Sequence, residues 1–203
     1  MNTGAKMYGI YYNQLFDVLM VVKKNQPPHQ VDGKGDIVLL SDENNEINGI
    51  NIFNVSQDLH PIKAFNSFEP EVLDYVKTKL ADQFSFTQSS QFVVGQVLVC
   101  EDIEGTHLHL CEVDLGNKVE QIVCGAANVA IDQLVVVALN GAWMPNGEQI
   151  VPSKLRGYES HGMICSQKEL ALENDDFNQT GIIVLPPMFA NRIGQDFFKE
   201  SEG

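Results

Sequence analysis

The sequence FVVGQVLVCE at residues 92–101 opens the run of short strands that decides the fold class. Gly95, in the middle of it, indicates a bulge or a bend. No helix long enough for a βαβ unit interrupts the stretch, so it predicts a five-stranded OB-fold β-barrel. Four more apolar runs follow, separated by turn signals: HLHLCEVD (107–114), VEQIVCG (119–125), QLVVVAL (133–139) and IVPSKLRGYESHGMIC (150–165).

The residues before this run predict a small mixed α+β domain. EPEVLDYVKTKLADQF (69–84) is predicted as a helix, because Leu73, Val76 and Leu80 recur at helical spacing and Pro70 suits a first turn. The Pro- and Gly-rich segment 26–36 is predicted as a loop. Strand-like runs are predicted at 7–12, 15–23, 36–41 and 47–56, the first two joined by a short hairpin connection.

The chain is therefore expected to be a two-domain α+β protein. The polar segment FTQSSQ (86–91) indicates the boundary between a mixed α+β N-terminal domain at 1–90 and the OB-fold domain at 91–172. The remainder, 173–203, holds one strand-like run, GIIVLPP (181–187), and a tail with Phe197 and Phe198. We expect this segment to pack back onto one of the two domains.

The composition is that of a globular, acidic protein. Of 203 residues, 44% are hydrophobic, which is enough for a sizeable core, and the formal net charge is −14. This charge repels phosphate backbones at long range, so nucleic-acid binding requires a local basic patch. No apolar run reaches the length of a membrane span, and no secretory signal is visible. We therefore expect a cytoplasmic protein with no membrane partner and no DNA partner.

No motif of a known active site occurs in the sequence, so we expect a protein that is not an enzyme and uses no cofactor. The four cysteines show no CxxC spacing and are interpreted as small buried hydrophobic residues. His107, His109 and Cys111 alternate on one strand, but one strand rarely brings three ligands to a single ion. We interpret them as polar residues of a barrel face and expect no metal site.

The most informative stretch is IVPSKLRGYESHGMICSQKEL at 150–170. Lys154 and Arg156 are two residues apart, so on a strand both would point to one side while Leu155 points into the core. They are two of the four basic residues between 91 and 172, which makes their strand face the best local anion site. From charge alone, an ordinary surface hairpin remains the simpler interpretation.

The spacing of residues in this stretch resembles a family pattern, KLRGxxSxGMxCSxxEL. Here it reads KLRG at 154–157, Ser160, GM at 162–163, CS at 165–166 and EL at 169–170. The pattern is that of the tRNA-binding OB-fold domain of the bacterial phenylalanyl-tRNA synthetase beta subunit. The whole arrangement also resembles the YtpR-like tRNA-binding proteins of Gram-positive bacteria. Similar family segments are QIVCGAANV (121–129), VGQVLVCE (94–101) and LHLCEVDLG (108–116).

The resemblance implies a non-catalytic protein that contacts structured tRNA across one barrel face. Lys154 and Arg156 would contact phosphates, Ser160 and Met163 would form the recognition turn, and Asn128 would support the adjacent loop. Tyr158 either stacks on a base or is an ordinary exposed tyrosine.

An alternative is a protein-interaction or oligomerisation module whose barrel has lost its basic RNA-binding face. Family members often carry basic residues on the second strand, where this chain has His107, His109 and Glu112. The partner would then be an aminoacyl-tRNA synthetase or a second copy of the chain. A third interpretation places an enzyme in the unassigned residues 1–90, where no catalytic constellation is seen.

Overall fold

A computed structural model describes residues 6–172 and 177–199 of the chain, mostly as β-strands and loops. The chain divides into two compact units between Ser89 and Ser90, and each is described by itself below. Within the described residues, no helix has the length and apolar character needed to cross a membrane.

The first unit is a five-stranded antiparallel sheet with one α-helix, α1 (Pro70–Leu80). The strand order is β1-β2-β5-β4-β3, so the apolar strand β2 lies inside the sheet, between β1 and the central strand β5. Val72, Val76 and Leu80 of the helix pack with the sheet in one buried cluster. The strands are β1 (Gly9–Asn13), β2 (Val18–Val22), β3 (Gln30–Lys34), β4 (Ile37–Ser41) and β5 (Ile47–Phe53).

Three predictions for this unit need correction. The segment 26–36, predicted as a loop, contains β3, whose five residues are all exposed and whose polar composition hid it. Leu15 and Phe16, predicted in a strand, lie in the β1–β2 turn and are 83% and 66% exposed. The helix ends at Leu80 rather than at 84, because Phe84 leaves it to pack against Tyr8, with ring centroids 6.2 Å apart.

The second unit is built on a nearly closed, barrel-like antiparallel sheet. Its strand order is β12-β9-β6-β7-β8, and β13 also pairs with β9. The sheet thus has six strands where five are predicted, and β10 and β11 form a separate hairpin. The strands are β6 (Phe92–Asp102), β7 (His109–Asp114), β8 (Val119–Cys124), β9 (Leu134–Ala138), β10 (Ser153–Leu155), β11 (Tyr158–Ser160), β12 (Met163–Ile164) and β13 (Val184–Leu185).

Hydrogen bonds join β8, which is one edge of this sheet, to the segment around β11. The backbone N–H of His161 donates to the carbonyl oxygen of Gln121 at 2.8 Å. The side-chain amide of Gln121 donates in turn to the carbonyl oxygen of Glu159 at 2.7 Å. These bonds attach the β10–β11 hairpin to the edge of the sheet at β8.

Of the two features that the sequence predicts at Gly95, a bulge or a bend, the bulge is not found there. The irregular register of β6 lies between Val97 and Val99 instead. A Cβ atom at Gly95 would lie 2.8 Å from Cγ1 of Val113 and 3.0 Å from Cγ2 of Val137. Glycine is therefore needed here because side chains of the two neighbouring strands pack over it.

The C-terminal segment packs back onto the second unit. Ile193 and Asp196 form isolated β-bridges with Val94 and Val93 of β6. The ring of Phe198 packs edge-on against Phe92, with centroids 5.6 Å apart. Among the described residues 177–199, two residues of the predicted strand-like run 181–187 form a strand, β13.

Candidate nucleic-acid interface

The β10–β11 hairpin carries the two basic residues that the sequence singles out. Lys154 lies opposite Glu159 and Leu155 opposite Tyr158 in its register. Arg156 and Gly157 form the two-residue turn, with φ of 51° and 93°. Two consecutive positive φ values are what a type I′ hairpin turn requires, and Asn-Gly is its usual sequence.

This geometry corrects the prediction that Lys154 and Arg156 share one strand face. Arg156 is in the turn, outside the strand, so the alternation of strand side chains does not apply to it. Leu155 is 40% exposed rather than in the core, because β10 pairs only with β11. Lys154 and Arg156 are both exposed, and within the described ranges neither forms an ion pair.

Ser160 is only 3% exposed, and its hydroxyl is fully used by the backbone. Its Oγ accepts a hydrogen bond from the N–H of Val123 at 3.1 Å and donates to the carbonyl oxygen of Gly162 at 3.3 Å. Because Val123 belongs to β8, Ser160 joins that strand to the turn before β12. The residue fixes the position of the hairpin relative to the sheet.

Asn128 holds the loop after β8 against the C-terminal segment. Its side-chain amide donates to the carbonyl oxygen of Ile182 at 3.0 Å, and its Oδ1 accepts from the N–H of Ile182 at 2.9 Å. Its backbone carbonyl also accepts from the side chain of Gln133 at 2.9 Å. The predicted support of this loop by Asn128 has this geometric basis.

A cavity of about 460 Å³ opens beside the segments that Ser160 and Asn128 hold in place. Its walls are formed by residues 123–126 at the end of β8, by Met163 and Ile164 of β12, and by parts of the segments 166–169 and 179–182. Two of the four stretches that carry the family resemblance, 121–129 and 154–170, thus line one cavity. Met163, which sequence reasoning places in a recognition turn, is a half-buried wall residue.

Lys168 is a candidate that sequence reasoning missed. It lies in the cavity wall, is exposed, and forms no ion pair with any residue the structure describes. By contrast, Lys118 pairs with Glu120, and Arg192 donates to the carbonyl oxygens of Asp196 and Lys199. The sequence signal that could have identified Lys168 is its position inside the motif CSQKEL at 165–170. A sequence does not show which lysines form ion pairs, so this signal does not separate Lys168 from a paired lysine.

The cysteines and histidines form no reactive centre in the described part of the chain. Of the four cysteines predicted to be buried, Cys111, Cys124 and Cys165 are buried and Cys100 is half-buried. Burial raises the pKa of the three buried thiols. They remain protonated at neutral pH and pack as small apolar groups. His109 Nδ1 lies 2.9 Å from Asp102 Oδ1, and no group of three metal-ligating side chains occurs among the described residues.

Residues 92–191 match the family model described as "Putative tRNA binding domain". The phenylalanine–tRNA ligase beta subunit of Lactobacillus johnsonii is 45% identical over 113 residues, which are 54% of this chain and 14% of that protein. The same subunit of Streptococcus pneumoniae is 46% identical over 104 residues, or 51% and 12%. The chain thus spans about one-seventh of the length of these curated relatives.

A solved structure, that of a MetRS related protein from Pyrococcus horikoshii, is 25% identical and covers 52% of this chain and 87% of that chain, with a TM-score of 0.37. The predicted resemblance to the phenylalanyl-tRNA synthetase beta subunit is confirmed by the family model and by these curated relatives.

Proposed function

We propose, on the premise that residues 92–191 are a tRNA-binding domain, that the protein binds structured tRNA and catalyses no reaction itself. The family match is the observation that carries this proposal. The binding surface is one face of an OB-fold barrel, formed within residues 91–172 and separate from an N-terminal domain at 1–90. The division of the chain near residue 90 supports these boundaries, and the ligand makes the cytoplasm the expected location.

Lys154 and Arg156 are the proposed phosphate contacts. Both are exposed and unpaired among the described residues, so neither has to give up an ion pair on binding. Arg156 also holds a positive φ of 51° in a turn where Asn or Gly would fit without strain. Strain retained at an exposed position is typical of functional sites.

The proposed role of Ser160, Met163 and Asn128 is to shape the binding site rather than to contact phosphates. Ser160 and Asn128 position the hairpin and the loop after β8 through hydrogen bonds already made inside the protein. Met163 contributes part of the surface between them. Their contribution to RNA binding is to hold the site in one conformation before the ligand arrives, which lowers the ordering cost of association.

The charge of the unit limits the expected affinity. Residues 91–172 contain four basic and ten acidic side chains, and Lys118 is already paired. With about two or three phosphates neutralised, the affinity depends on salt only moderately, since the slope scales with that number.

The test combines Lys154→Ala with Arg156→Asn, because Asn adopts the left-handed conformation and preserves the turn. Removing two phosphate contacts is expected to weaken tRNA binding and to lower the salt slope by about two. The matched control is Lys118→Ala, which removes a cation that is already paired with Glu120. If the double variant binds tRNA as tightly as the wild type, the hairpin is not the binding site.

A second candidate is a protein-interaction module, with a synthetase or a second copy of the chain as partner. It is favoured by the exposed apolar side chains on and beside the hairpin, which are Val151, Leu155 and Tyr158. This candidate predicts an oligomer or complex that persists after nuclease treatment, measured by light scattering during size-exclusion chromatography. A monomer that also binds tRNA would contradict self-association.

A further inference from the structure

The cavity beside β8 and β12 has the dimensions of a ligand site. Its volume of about 460 Å³ lies within the range of about 300–1,000 Å³ that small-molecule sites occupy. Residues 123–126 form one wall and Met163 with Ile164 another, so the stretches 121–129 and 154–170 both contribute to it. Among the proposed contacts, only Met163 faces this space.

The wall is chemically suited to the flat face of an aromatic ring. Val123, Ala126 and Met163 are half-buried and give it apolar surface, and the thioether of methionine packs well against aromatic rings. Bases in a duplex are stacked and cannot enter such a space. Unpaired bases can be splayed out and bound singly, which is how proteins usually recognise RNA in detail.

The charge beside the cavity is suited to a phosphate. Lys168 is exposed in the wall and forms no ion pair with the part of the chain that is described. The neighbouring carboxylate of Glu169 accepts hydrogen bonds from the N–H and the hydroxyl of Ser166, both at 2.7 Å. Glu169 is thereby held by its own segment, and Lys168 remains available to a ligand.

The walls are also fixed in place before any ligand binds. The mutual hydrogen bonds of Asn128 and Ile182 hold the segment 179–182 against the loop after β8. The bond from the N–H of Val123 to Ser160 Oγ ties the end of β8 to the turn before β12. A preformed cavity binds its ligand without a large ordering cost.

We infer that this cavity binds one unpaired nucleotide of the RNA ligand, with the base against Met163 and Val123 and a phosphate beside Lys168. The inference rests on the proposed function and makes it more specific. The hairpin with Lys154 and Arg156 holds the helical backbone, and the cavity selects RNA that offers an unstacked base nearby.

The experiment uses the full chain and an RNA hairpin with a single unpaired 2-aminopurine at its 3′ end, whose emission responds to stacking. A matched RNA carries an abasic nucleotide at that position. The expected result is a saturable change in emission and a loss of affinity of about fivefold or more for the abasic RNA, as base contacts of this kind contribute. Equal affinity for the two RNAs would overturn the inference.

Two variants separate the parts of the site. Lys168→Gln is expected to weaken binding of the 2-aminopurine RNA. Lys118→Gln is expected to leave that binding unchanged, because Lys118 is already paired with Glu120. Ala126→Leu fills the cavity and is expected to abolish the preference for a base over an abasic site; Lys168→Gln remains informative if this variant does not fold. If tRNA binding depends on Lys154 and Arg156 but no variant changes the preference, only the cavity assignment fails. If no RNA binds at all, the proposed function fails as well.

Discussion

At the scale of single residues, exposed cations without an ion pair are distinct from polar side chains that hold neighbouring segments in place. Lys154, Arg156 and Lys168 are exposed and form no ion pair with any described residue. Ser160 and Asn128 instead form hydrogen bonds with the backbone of neighbouring segments. The sequence motifs identify Lys154, Arg156, Ser160 and Asn128 without distinguishing the two groups, and they miss Lys168. The distinction depends on burial and on hydrogen-bond partners distant in the chain, such as Ile182 for Asn128.

Gly181 tests the anchoring of the loop after β8. Its φ is +75°, and a Cβ atom there would overlap the side chain of Asn128. We expect Gly181→Ala to lower the free energy of unfolding by more than the cost of about 1–2 kcal/mol that a left-handed residue carries. The measurement is urea denaturation of the full chain.

Gly147→Ala is the matched control, because Gly147 has a φ of +88° with nothing within 4 Å of its missing Cβ. This control measures the cost of placing alanine in the left-handed conformation alone, without the overlap with Asn128 that Gly181→Ala adds. If both variants lose the same stability, the contact with Asn128 does not constrain the loop.

At the scale of elements, the apolar pattern predicts the strands that are buried and misses those that are not. β2, β6 and β9 have strongly apolar runs and are found within the predicted ranges, although β2 begins only at Val18. β3 is fully exposed and polar, so no alternation reveals it. All three residues of β10 are exposed, so the assumption that Leu155 points into a core fails there.

The β1–β2 turn provides a prediction about pH. Two opposed effects act on the pKa of Asp17: burial raises it, and hydrogen bonds from the N–H and hydroxyl of Ser56 and from the Tyr12 hydroxyl lower it. The hydrogen bonds together outweigh burial, so the pKa lies below the usual carboxyl value. A depressed folded-state pKa stabilises the fold above the unfolded value of about 4, and this stability is lost as pH falls through the folded pKa.

Asp17→Asn keeps the left-handed turn, since Asn tolerates the φ of 46° found here. The stability difference between wild type and variant is therefore expected to be largest near neutral pH and to shrink in acid. Urea denaturation at a series of pH values measures it. A difference that does not change with pH would show that the charge of Asp17 contributes nothing.

At the scale of the whole molecule, a net charge of −14 opposes the binding of a polyanion. Within residues 91–172, Lys118 is paired with Glu120, whereas Lys154 and Arg156 on the hairpin and Lys168 beside the cavity form no ion pair with a described residue. The sequence predicts the acidic background, the family and the motif residues. It does not predict the cavity, because its walls come from segments about 40 and 60 residues apart in the chain.

The central claim is that this acidic protein binds tRNA through a few phosphate contacts. The most direct measurement is the fluorescence anisotropy of labelled bulk tRNA with the purified chain at about 50 and 200 mM salt, with duplex DNA as competitor. Two or three neutralised phosphates predict an affinity about 10- to 40-fold lower at the higher salt, and duplex DNA is not expected to displace the tRNA. Absence of binding at the lower salt, or displacement by duplex DNA, would contradict the account.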